Sequence, residues 1–94
     1  MLYTVSYDFS GDNDERLTLE AALRATGSAI RCLGSTWLVL SDLTAAQIRQ
    51  ALEAGVSSPL HSLVTEVSSH NNAWCLEGSR GVKVWREQNG IQMG

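Results

Sequence analysis

Hydrophobic and polar positions alternate at the start of the chain and then change period. In Leu2-Tyr3-Thr4-Val5-Ser6-Tyr7, β-branched and aromatic residues set Tyr3, Val5 and Tyr7 on one face, with Thr4, Ser6 and Asp8 on the other. This predicts a first strand with Asp8 just past its end. Ser10-Gly11-Asp12-Asn13-Asp14 is a run of turn formers and helix caps. A helix is predicted from about Glu15 to Thr26, with Leu19, Ala22 and Leu23 on one stripe. Gly27 is its expected stop, because glycine accepts the left-handed conformation after a last turn.

A second strand is predicted near Ser28 to Cys32, with Leu33-Gly34-Ser35 as a hairpin turn and Thr36-Trp37-Leu38-Val39-Leu40 as the third strand. That third strand is apolar on both faces, the pattern of a central strand covered from both sides. A helix on one side and a second subunit on the other would provide the cover. Thr44 and Gln47 then stand at capping-box spacing, with Leu43 and Ile48 placed as a hydrophobic staple. The helix they open runs to about Ala54 and stops at Gly55. Val56 to Pro59 reads as a linker, Leu60 to Val67 as a fourth strand, and Ser68 to Asn72 as a polar turn. Beyond it the pattern is ambiguous. Val82 and Trp85 suit a short helix, Val82-Lys83-Val84 suits a fifth strand, and Gly78 and Gly81 weaken the helix.

Two β-α-β halves joined by a tight hairpin give an α+β, ferredoxin-like β-α-β-β-α-β sandwich, with an antiparallel sheet and two helices on one face. One domain over residues 1–88 is expected, with 89–94 as a flexible tail. In this topology the first strand lies between the third and fourth. Asp8 therefore falls beside their starts, which carry Ser35, Thr36 and His61.

Composition narrows the partners. The 94 residues hold seven basic and ten acidic side chains, for a net charge of −3. That disfavours a broad phosphate-binding face, which needs clustered Lys and Arg. Charged residues make up only 18% of the chain, and weakly charged surfaces tend to be covered. Cys32 and Cys75 have neither CxxC spacing nor a histidine at ligand spacing, so they read as buried free thiols. The apolar run before Asp8 is too short for a signal peptide or a membrane span, and a cytoplasmic protein of a bacterium or phage is expected.

Asp8 is the one candidate catalytic group. A carboxylate at a strand end suits a hard cation, and one copy from each of two subunits would hold Mg²⁺ or Mn²⁺ for metal-activated attack of water on a phosphodiester. The plainer reading is that Asp8 ends the strand and caps the loop. A Ser35–His61–Asp8 hydrolytic grouping lacks a nucleophile elbow and an oxyanion-hole signature. His70 reads as a solvated side chain. Arg80, Lys83 and Arg86 fall on one helical stripe beside Trp85. They are weak candidates for nucleic-acid contact, because Glu77 and Glu87 flank them and a solvated face accounts for them as well. Core packing accounts for one or two of the three tryptophans, and at least one of Trp37, Trp74 and Trp85 is expected at an interface.

Ser6-Tyr7-Asp8, Ser35-Thr36-Trp37, and Glu66-Val67 followed by Trp74 form a set of short motifs over residues 1–75. In these the chain resembles small ferredoxin-like proteins related to the CRISPR-associated spacer-acquisition subunit and the VapD-type ribonucleases, in particular a bacterial and phage branch loosely labelled SinR-like. The resemblance implies a homodimer joined through the sheets, and a nuclease ancestry in which the strand-one aspartate, here Asp8, binds metal. The chain departs from that group in being acidic, and in a first helix whose basic residues are only Arg16 and Arg24, beside Glu15 and Glu20. Three readings follow. The first is a dimeric, non-catalytic interaction module with a protein partner, in bacterial defence or phage counter-defence. The second is a metal-dependent endonuclease using Asp8. The third is a phage-encoded inhibitor of a host defence complex. Only the second needs a cofactor.

Overall fold

A computed structural model of the protein describes residues 1–67 and 80–91. The elements run β1 (Leu2–Phe9), α1 (Asn13–Ala25), β2 (Ser28–Leu33), β3 (Thr36–Leu40), α2 (Ala45–Ala54), β4 (Leu60–Glu66) and α3 (Arg80–Gln88). The strands form one sheet in the order β2-β3-β1-β4, and every neighbouring pair is antiparallel. This is the ferredoxin-like arrangement, with β1 between β3 and β4. Asp8 lies within β1 and not past it.

Period-two alternation decides which side chains meet which layer. Tyr3 and Val5 of β1 and Trp37 and Val39 of β3 point to one side and are buried against Leu19 and Leu23 of α1 and Ile48 and Leu52 of α2. Each fully buried aliphatic side chain of this set contributes about 1.5–3 kcal/mol through loss of water contact. Polar handles inside this layer are satisfied: the Tyr3 hydroxyl donates to the Leu43 carbonyl at 2.7 Å.

α1 starts at Asp12, whose carboxylate accepts from the Glu15 amide at 2.9 Å. At its other end Gly27 is not in the left-handed region. A Cβ there would run into the Leu40 carbonyl oxygen, so glycine is required for close approach of the two backbones and not for a positive φ. α2 opens with the expected capping box: Gln47 N–H donates to Thr44 Oγ1 at 3.2 Å, and Thr44 N–H donates to Gln47 Oε1 at 2.9 Å.

The second face of the sheet corrects one expectation. Leu38 is buried by Val82 and Trp85 of α3, together with Leu2, Ile30, Cys32, Leu40 and Ile91. A helix of the same chain, and not a second subunit, covers the far side of β3. α3 also settles the helix-or-strand ambiguity of that segment. The Trp85 indole N–H donates to Ser28 Oγ at 2.9 Å, tying the helix to β2. After Asn89, Gly90 adopts φ +67°, while Ile91 N–H donates to the Arg86 carbonyl and Gly90 N–H to the Glu87 carbonyl. This is a Schellman cap with Ile91 as its apolar anchor, so residues 89–91 form the end of α3. Among the described residues, no helix is long and apolar enough to cross a membrane.

Candidate functional site

α3 packs on the β2–β3 half of the second face, and among the described residues no helix packs on the β1–β4 half. Cross-strand pairing brings Thr4 opposite Thr65, Ser6 opposite Leu63, and Asp8 opposite His61 on that half. Thr36 of β3 continues the row beside Ser6, and their hydroxyls are hydrogen bonded at 3.0 Å. Asp8 and His61 are both exposed. The inferred meeting of Asp8, His61 and Thr36 at one end of the sheet is therefore present as register, although Asp8 and His61 form no salt bridge. Ser35 enters through its backbone, its carbonyl accepting from the Tyr7 amide at 3.1 Å.

The chemistry open to this half-face is limited by its composition. Among the described residues, no group of three or more His, Cys, Asp and Glu side chains is placed to hold a metal ion. Asp8 has one ligating neighbour across the ladder, and further ligands for a hard cation would have to come from a second copy or from water. Leu63, in the middle of β4, is 66% exposed, more than any other large hydrophobic residue described.

Two of the three tryptophans singled out for an interface, Trp37 and Trp85, are buried within the chain. Trp37 is buried in the helix-covered core, with its indole N–H 3.4 Å from the Tyr7 hydroxyl and the guanidinium groups of Arg24 and Arg31 stacked over its ring at 5.0 and 5.4 Å. Trp85 is the anchor of α3. Trp74, like His70, Cys75 and Glu77, lies outside the described residues. Arg80 opens α3, Lys83 is exposed and Arg86 half-buried, with exposed Glu87 beside it, so the stripe is broken by opposite charge. Cys32 is a free, half-buried thiol whose Sγ lies 3.4 Å from the Thr36 carbonyl, and burial pushes its pKa up, away from the reactive thiolate.

Two arrangements were not legible from the pattern. Ser57 and Ser58, in what reads as a plain linker, both donate hydroxyls to the Glu15 carboxylate, the first at 2.7 Å. These hydrogen bonds hold the Glu15 pKa below its ordinary value. Buried Glu20 of α1 pairs with Arg31 of β2, across the edge of the Trp37 site. A hollow of about 480 Å³ lies at the opposite end of the sheet from Asp8, between Thr26, Gly27, Leu40 and Asp42. It brings no candidate catalytic group together.

The chain finds no match among protein-family models, curated proteins or solved structures.

Proposed function

We propose that this chain is a homodimeric interaction module that associates through the β4 side of its sheet and presents the polar β1–β4 half-face to a protein partner. The observation that carries this reading is Leu63: an aliphatic side chain, two-thirds exposed, at the centre of an edge strand. Single exposed hydrophobics are ordinary, but one centred on an unpaired edge adds apolar contact to open main-chain hydrogen bonding. The low share of charged residues and the net charge of −3 support a protein rather than a nucleic acid as the further partner.

The endonuclease reading has narrower support, namely the placement of exposed Asp8 opposite His61. Metal-dependent cleavage of RNA or DNA that disappears in Asp8→Ala would put it first. The dimer reading is tested by sedimentation velocity over a dilution series. Wild type is expected to pass from dimer to monomer on dilution. Leu63→Lys should weaken association roughly 100-fold, because each of two copies loses about 1.5 kcal/mol of buried aliphatic surface. Monomeric wild type at every concentration would sink the reading.

A further inference from the structure

Main-chain hydrogen bonding along β4 restricts how two copies can pair, a step that rests on the homodimer reading and deepens it. Val67 N–H donates to the Leu2 carbonyl at 2.8 Å. Groups on an antiparallel strand alternate between its two neighbours, so Thr65, Leu63 and His61 also bond toward β1. The N–H and C=O groups of Leu60, Ser62, Val64 and Glu66 then point away from the sheet, and among the described residues no strand lies beyond them. We infer that a second copy of this chain docks antiparallel on this edge, about a two-fold axis through Leu63, and continues the sheet.

Several features select that register. With the axis at Leu63, Ser62 faces Val64 of the partner subunit and Leu60 faces Glu66 of the partner subunit, so the whole of β4, Leu60–Glu66, is used. Moving the axis in either direction shortens the overlap. Leu63 meets its own copy at a non-hydrogen-bonded position, where Cα atoms come within about 4.5 Å and side chains are closest. Side-chain parity is kept, so the helix-covered faces of both copies stay on one side. The two Glu66 carboxylates go to opposite ends of the joint and do not repel. Among the described residues the edge is also undefended. β4 pairs with β1 without a bulge and contains no Lys, Arg or Pro. The opposite edge, β2, has a register shift between Arg31 and Leu33 and is packed by α3. Bulges and charges are the usual means of blocking edge pairing.

The register has a chemical consequence. The two Asp8 residues stand three strand spacings apart and four residues apart along the strands, roughly 20 Å. A dimer of this kind cannot share one cation between its two Asp8 carboxylates.

The test is disulfide trapping. In a chain carrying Cys32→Ser and Cys75→Ser, Leu63→Cys adds one thiol at an exposed position that the fold tolerates. A cysteine pair at this non-hydrogen-bonded site falls within the Cα separation a disulfide accepts, about 4.4–6.8 Å. Mild oxidation should convert most of the protein to a covalent dimer linked 63 to 63. Leu17→Cys in the same background, exposed on α1 and away from the edge, should stay largely monomeric. If sedimentation finds a dimer but Leu63→Cys cross-links no faster than Leu17→Cys, the β4 register is wrong and the homodimer reading stands. If sedimentation finds only monomer and neither variant cross-links, both fail.

Discussion

Gly27 and Glu15 show how much of a residue's role depends on what lies far away in the chain. Gly27 has the place of a helix-stopping glycine, yet its conformation is unremarkable, and the close approach of Leu40 is what excludes a side chain. Glu15 lies in the first turn of α1, where a carboxylate is favoured by the helix dipole, and its two serine partners lie more than forty residues on. Because its folded pKa is lowered, the clamp contributes stability that is full above the unfolded carboxyl range and is lost as pH falls through the depressed value. Glu15→Gln should therefore lower the urea midpoint at pH 7, and the difference from wild type should shrink toward pH 3. An equal difference at both pH values would mean that the carboxylate charge is not involved. The capping box of Thr44 and Gln47, by contrast, is legible in the sequence because all its atoms lie within four residues.

Among the elements, the four strands and the first two helices follow from local periodicity and punctuation, with boundaries shifted by one or two residues. α3 does not. Its glycine and its two valines argue against a helix in isolation, and the helix forms because Val82 and Trp85 bury against Leu38 while Gly90 and Ile91 close its end. That tertiary term is not carried by the local pattern, and without it a second subunit is the natural cover for β3. If α3 is that cover, Trp85→Ala should cost about 3–5 kcal/mol of folding stability in urea titrations, through lost burial and the orphaned Ser28 hydroxyl. Sedimentation of the same variant should still give the wild-type association constant. A variant with unchanged stability and lost association would return Trp85 to an interface.

For the whole molecule, topology alone puts Asp8 beside His61, because a split β-α-β sheet admits one position for its first strand. What that end of the sheet meets was not legible, since partners are recognised by faces that only the packed chain exposes. Once α3 is in place, the open surface among the described residues is the β4 edge with the half-face next to it. The most direct measurement is amide hydrogen exchange at Ser62 and Val64, whose N–H groups point off the edge. Protection should rise with protein concentration and be lost in Leu63→Lys. Fast exchange at every concentration would contradict the homodimer by leaving the edge unpaired. Protection independent of concentration would contradict it equally, since the chain's own residues would then cover β4.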